Sequence, residues 1–327
     1  MLGLSFDDVL LVPKHGILES RDDADTSTWL AGRWQMKIPL VSSPMPTVTS
    51  YAMAIAMWNA GGTGIIHRFN TVKEQVELYK LASVRLDGEL VNETDAGCAV
   101  GVNEGYERIE ALYEAGCRIF CVDVAHGDSV YTGGYMGGLD PDLKLHSNFI
   151  LGSIVSPEGA ERAITWGADA IRVGIGNGSA CTTRGHTGFG IPQITALQRV
   201  REAVQPYKNK NGLPIRVISC GGHRSAGDVV KSLAAGADSV ILGGMLAGAS
   251  ESPTPGKYVG AAHGERYDEG IAGTVPRTGP VQGTLDKIME GVRSGISYGG
   301  AKSIPELQQN AEFMQVAPGT AREGFSA

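Results

Sequence analysis

A closed (β/α)8 barrel is the fold class this sequence predicts, on three observations. First, eight short apolar, β-branched runs recur along the 327 residues with helical patterns between them. Several are apolar throughout, as parallel strands buried on both faces require. Second, the helices leave by a repeated pattern: Ala115-Gly116-Cys117, Trp166-Gly167-Ala168-Asp169 and Ala235-Gly236-Ala237-Asp238. In each, Gly stands where a helix C-terminus favours left-handed geometry, just before a strand. Third, the competing open doubly wound sheet should show a GxGxxG turn with an acidic residue about 20 positions on. The sequence has none of that kind.

In chain order, the apolar runs predict strands at Ile38–Ser43, Thr63–His67, Cys98–Val102, Arg118–Asp123, Phe149–Ser153, Ala170–Ile175, Ile215–Ser219 and Ser239–Gly243. Between them, Ser50–Ala60, Glu104–Ala115, Pro157–Gly167 and Ser225–Gly236 read as helical. The expectation is one catalytic barrel spanning residues 1–327. Chemistry in such a barrel sits at the C-terminal strand ends. That rule gathers Ser43–Met45, Asp123, Ser153, Gly174–Cys181, Cys220–Gly222 and Gly243–Gly244 around one mouth.

Composition narrows the function classes. At 42% hydrophobic and 19% charged, the chain reads as soluble and globular. A net charge of −7 argues against a sequence-independent nucleic-acid binder, which needs many phosphate-neutralising cations. It leaves room for one small anion held by backbone N–H groups. No apolar run reaches the roughly 18 residues of a membrane span. Met1–Lys14 carries Asp7 and Asp8 and lacks the basic start of a secretory signal. The five cysteines are odd in number and lack zinc-site pairing, which points to a reducing, cytoplasmic setting.

The segment from Gly174 to Arg184, Gly-Ile-Gly-Asn-Gly-Ser-Ala-Cys-Thr-Thr-Arg, follows a predicted strand. Alternating glycines let such a loop turn sharply and expose N–H groups to phosphate or carbonyls to a monovalent cation. It also presents Cys181 with hydroxyls close by, as a nucleophile needing proton transfer requires. The alternative for any lone cysteine is a buried small hydrophobe.

This loop resembles the active-site loop of the IMP dehydrogenase/GMP reductase family. Further motifs resemble the family in the same order: Ser5–Pro13, Ser42-Ser43-Pro44-Met45, Asp123-Val124-Ala125-His126-Gly127, Leu242–Gly248 and Arg293–Lys302. The resemblance implies a purine mononucleotide with C2 beside Cys181, and hydride exchange with a nicotinamide cofactor, NADPH in reductases or NAD in dehydrogenases. It implies a Thr183–Glu269 proton relay, although by itself Glu269 reads as a solvated loop carboxylate. Nucleotide contacts are implied at Ser43, Met45, Ser153, Arg172, Ser179, Cys220, Gly221, Gly222, Gly243, Gly244, Tyr258, Gly260, Ala261, Glu269 and Gly270. The phosphate would lie at Ser179, Gly222, Gly243, Gly244 and Tyr258; Tyr258 alone reads equally as a half-buried aromatic. Cofactor contacts are implied at Asp123, Ser129 and Arg68, with Asp123 otherwise an ordinary helix-capping residue. Carbonyls of Gly176, Gly178 and Cys181 would hold a monovalent cation such as K+, and the assembly would be a homotetramer.

Within the family, the short span from Tyr258 to Glu269 favours a reductase. Dehydrogenases need a long flap there whose Arg-Tyr pair activates water, and Arg266-Tyr267 sits too close to Glu269 to swing, so it reads as a surface pair. No second domain is inserted between early strands, again as in reductases. Gly243-Gly244 and His67-Arg68-Phe69 look reductase-like, whereas Ser42–Met45 and Arg293–Lys302 look dehydrogenase-like. IMP dehydrogenase-like oxidation and non-catalytic nucleotide binding are the alternatives. Departures from the pattern cluster at the nucleotide site. Cys220 replaces an Asp that serves the ribose hydroxyls, Ser153 an Asn, Ala261 a Met and Pro46 an Asp. Tyr131–Asn148, normally a regular helix, is rich in Gly and Pro. The Cys220 exchange points toward a deoxynucleotide such as dGMP, since no ribose hydroxyl is then left unpaired; ribose bound through water is the alternative.

Overall fold

The structure is a computed structural model that describes residues 2–83, 96–260 and 271–317. Eight parallel strands form the barrel: β1 (Leu40–Ser42), β2 (Thr63–Ile66), β3 (Gly97–Val100), β4 (Ile119–Asp123), β5 (Asn148–Ile154), β6 (Ala170–Val173), β7 (Arg216–Cys220) and β8 (Ser239–Leu242). Each pairs with the next in sequence, and Val240 of β8 lies opposite Leu40 of β1 to close the ring. All eight predicted strands are present, with ends within two residues of those read from the sequence.

The main crossover helices are α1 (Tyr51–Asn59), α2 (Val72–Ala82), α3 (Glu107–Glu114), α4 (Val130–Gly137), α5 (Pro157–Thr165), α6 (Gln193–Val204) and α7 (Ala226–Ala234), with α8 (Val281–Tyr298) packed after β8. Side chains of Thr71, Ser156 and Ser225 cap α2, α5 and α7. The repeated exits behave as expected: Gly116, Gly167 and Gly236 adopt φ of +103°, +103° and +108°. Tyr131–Asn148 does depart from one regular helix. The chain leaves α4 at Gly138, and Asp140 caps a second helix, Pro141–His146, by accepting from the N–H groups of Asp142 and Leu143.

Filling of the barrel explains why only one end is open. Val41, Ile65, Ala99, Ile119, Cys121, Ile150, Ala170, Ile218 and Ile241 form the inner core. Leu30, Ala31 and Met36 join them from a hairpin pairing Thr28–Trp29 with Gln35–Met36. This hairpin plugs the N-terminal end: the Thr28 hydroxyl donates to the carbonyl of Asp238 (2.7 Å), just before β8, and Trp29 lies under Arg216 at the start of β7. Two larger apolar clusters seat the helices outside. Val9–Leu11 pairs with Phe313–Gln315, a contact between sequence-distant segments that local patterning did not predict. No helix among the described residues is long and apolar enough to cross a membrane.

Two expectations follow from this packing. Ile218 is fully buried in the inner core, so Ile218→Ala should cost about 3 kcal/mol, read as a lower urea midpoint by circular dichroism. His67, directly after β2, is 9% exposed and its Nδ1 has no partner among the described residues. Burial, with Arg108 nearby, pushes its pKa down to about 4. The unfolded chain therefore takes up this proton first as pH falls, so stability is full above about pH 6.5 and declines toward pH 4. Between pH 6 and 4.5, the stability gap between wild type and His67→Asn should shrink by about 1 kcal/mol per pH unit. Parallel pH curves for the two proteins would refute this account.

Candidate active site

The open end of the barrel holds a cavity lined from every part of the rim predicted to converge. Ser43, Met45, Arg68, Asp123, Ser153, Arg172, Ser179, Cys181 and Thr183 line it. So do Gly176, Gly178, Cys220, Gly221, Gly222, Gly243, Gly244, Tyr258 and Gly260. Ser129 does not: its hydroxyl caps α4, accepting from the N–H of Thr132 (3.2 Å). The capping role considered for Asp123 thus belongs to Ser129. Ala261, Glu269 and Gly270 lie outside the described residues, as do Arg266 and Tyr267.

Cys181 sits where β6 gives way to an irregular loop and then a short helix, Thr183–Thr187. Its thiol is exposed and donates to the Thr183 hydroxyl at 3.2 Å. The other cysteines differ. Cys98, Cys117 and Cys121 are buried; burial pushes the Cys121 thiol up to about 12 and raises Cys98 and Cys220 as well. The buried-hydrophobe reading fits those three and fails for Cys181. Beside it, the Ala180 carbonyl accepts from the N–H of Ile271 (3.0 Å), tying the loop to the hairpin formed by Lys257–Val259 and Ala272–Thr274.

At one end of the cavity, backbone turns come close together. Gly221 and Gly222 adopt φ of +97° and +85°, and a Cβ on Gly222 would stand 3.1 Å from the Asn177 carbonyl. Gly243 is required for a different reason: a Cβ there would meet the Tyr258 hydroxyl at 2.9 Å. Burial raises the pKa of that hydroxyl, while the Ser179 hydroxyl and the Gly244 N–H engage it. Tyr258 is therefore tied to the glycine turns and to the Cys181 loop at once.

The floor is ionic. Arg172 Nη1 lies 2.7 Å from Asp123 Oδ1, with both side chains buried. Burial opposes the Arg172 charge, but Asp123 outweighs it and holds the guanidinium charged. Arg172 also hydrogen-bonds the Cys220 thiol, and its Nε has no partner among the described residues. Arg68 buttresses this floor, donating to the Asp123 carbonyl (3.2 Å) and to Glu104 (2.7 Å).

The Gly178 carbonyl accepts the Cys181 N–H (3.0 Å), a tight turn inside the loop. Among the described residues, no cluster of three His, Cys, Asp or Glu is placed to hold a metal ion.

Sequence reading missed His223, which lines the cavity next to Gly222 and packs on Phe6 with ring centroids 5.1 Å apart. Burial pushes its pKa down to about 3, so the imidazole is neutral. Its position immediately after a paired-glycine turn was the available signal. Phe69, Val124 and Ala125 were likewise missed as single residues, although Phe69 adjoins Arg68 and the other two directly follow Asp123.

Comparison with known proteins agrees with this architecture. A family model described as the IMP dehydrogenase / GMP reductase domain matches residues 3–267 and 256–326. An inosine-5'-monophosphate dehydrogenase of Nitrosopumilus maritimus is 31% identical, over 99% of this chain and 97% of the relative. Another from Cryptosporidium parvum is 34% identical, over 98% and 94%. A GMP reductase of Leishmania donovani is 28% identical, over 99% and 96%. A full-length match of this kind, on a closed eight-stranded barrel, means that the chain belongs to the IMP dehydrogenase / GMP reductase family of oxidoreductases.

Proposed function

We propose that the protein is a GMP reductase-like enzyme, converting GMP, and its 2′-deoxy form dGMP, to IMP or dIMP with NADPH and release of ammonia. The observation that carries this reading is the exposed Cys181 thiol bonded to the Thr183 hydroxyl at the cavity mouth. A thiol so placed serves nucleophilic attack, and a hydroxyl at hydrogen-bond distance serves proton transfer. Mere binding of a nucleotide needs neither.

In this scheme, the Cys181 thiolate adds to C2 of the purine. The 2-amino group takes a proton through Thr183 and Glu269 and leaves as ammonia. Bound NADPH would supply the hydride that replaces it at C2, and Cys181 would then leave as the thiolate. Covalent attachment divides one hard displacement into two easier steps. Asp123 and Arg68, both at the cavity rim, would contact the cofactor. The ion pair engages Asp123 Oδ1, and the second carboxylate oxygen would serve as acceptor for a ribose hydroxyl. The glycine turns at Gly222 and Gly243, with Ser179 and Tyr258, would take the phosphate through N–H and hydroxyl donors.

The direction of the reaction is supported by the hairpin. Tyr258 pairs with Gly273 and Val259 with Ala272, leaving about a dozen residues between the arms, too few for a long water-activating flap. The sugar reading is supported by Cys220. Its thiol turns to Arg172, and a thiol is a weak acceptor for ribose hydroxyls.

Purified protein with NADPH should oxidise the cofactor on addition of GMP or dGMP, followed by loss of reduced-nicotinamide absorbance. Cys181→Ala should abolish this, and Thr183→Ala should slow it by about 10²-fold. Reduction of NAD with IMP, and silence with GMP and dGMP, would instead establish the dehydrogenase. Cys220→Asp should raise the GMP-to-dGMP ratio of kcat/KM about tenfold, the worth of one charge-assisted hydrogen bond. An unchanged ratio would remove Cys220 from the sugar argument.

A further inference from the structure

A run of side-chain hydrogen bonds leaves the Cys181 loop, passes through the protein interior and ends beside the turn Gly221-Gly222-His223. Arg184, three residues after Cys181, donates through Nη2 to Asn177 Oδ1 (2.6 Å). Asn177 Nδ2 donates to Gln193 Oε1. Gln193 Nε2 donates both to the Val173 carbonyl at the end of β6 (2.8 Å) and to the Ser219 hydroxyl in β7 (2.9 Å). Ser219 and Ser232 hydroxyls then meet His223 Nε2 at 3.1 and 2.9 Å.

Gln193 is the junction of this run. It is the first residue of α6 and is 2% exposed. Its amide oxygen and nitrogen are both engaged. A flipped amide would set its NH2 against that of Asn177 and its oxygen against the Val173 carbonyl, so only one orientation satisfies the neighbours. Leaving such a buried group unpaired is costly. The two ends of the run also touch directly: a Cβ on Gly221 would stand 3.2 Å from the Gly178 nitrogen. Between β6 and Thr183 the loop has no regular structure of its own. Its setting therefore depends on these links together with the bond from Ile271 and the Ser179–Tyr258 contact.

We propose that Gln193 and Asn177 are positioning residues which couple phosphate occupancy of the Gly221–His223 turn to the setting of Cys181. The proposal rests on reading that turn as part of the phosphate site and Cys181 as the nucleophile. An anion drawn to the turn's N–H groups fixes the turn, and Ser219, Gln193 and Asn177 carry that constraint to the loop. Coupling of this kind is reciprocal in binding free energy, so a change in the setting of Cys181 also changes the affinity of the turn for phosphate.

The test reads Cys181 itself and needs no turnover. Alkylation of Cys181 by iodoacetamide is timed by peptide mass spectrometry, with and without inorganic phosphate, a probe too small to cover the thiol from the turn. Phosphate binding is measured separately by calorimetry. In the wild type, phosphate should change the alkylation rate about fivefold or more, and in Asn177→Ala and Gln193→Leu less than about twofold. Asn177 lies in the loop, so Asn177→Ala keeps the barrel core intact, and a thermal melt checks this. In the reductase assay, Asn177→Ala should lower kcat more than it raises KM. The proposal is overturned by a full phosphate response in Asn177→Ala, by a wild-type rate indifferent to bound phosphate, or by absence of phosphate binding. Failure of the reductase reading looks different: no NADPH oxidation, with the alkylation response intact.

Discussion

Closure of the strand ring is the constraint on which the rest of this protein depends. Once β8 pairs with β1, no sheet edge remains, and the inner side chains must fill a fixed cylinder. Branched aliphatics from the strands do this, with the Thr28–Met36 hairpin plugging the lower end. Polar chemistry has one place left to go, the rim at the C-terminal strand ends. Residues as far apart in sequence as Ser43 and Tyr258 become neighbours for that reason.

The rim then divides its work by residue type. Glycine turns bring backbone N–H groups close together at one end, and the geometry of Gly222 and Gly243 leaves no room for side chains there. The Asp123–Arg172 pair forms a charged floor at which each partner makes burial of the other tolerable. Cys220 sits against that floor as a thiol. An acid there would have given Arg172 a second carboxylate, whereas the thiol leaves the charge of Arg172 answered by Asp123.

Reactivity among the five cysteines follows from position rather than from composition. Three are core residues, and desolvation disfavours ionisation of Cys98 and Cys121. Cys181 is on a loop, exposed, with a hydroxyl partner. The loop is held by the Gln193 junction, by the Gly178–Cys181 turn and by the bond from Ile271, a frame that fixes the position of the Cys181 thiol.

Local sequence determined the eight strands, the helix exits at Gly116, Gly167 and Gly236, and the candidate loop around Cys181. Each is written in short-range patterns: apolar runs, a glycine after the last helical turn, alternating glycines before a cysteine. The motifs along the chain also carried the family. Tertiary structure alone decided which side chains face the cavity and which partner they hold. Ser129 lies off the cavity and caps a helix, because its hydroxyl reaches the N–H three residues on. Arg172 acquired its partner from β4 and Gln193 its partners from three segments, contacts that exist only when the ring is closed. Gln193 carried no pattern of its own in the chain, and Asn177 and His223 were marked only by the glycines beside them. Their roles arise from distances between residues far apart in sequence, and such distances are set by packing rather than by neighbouring residues.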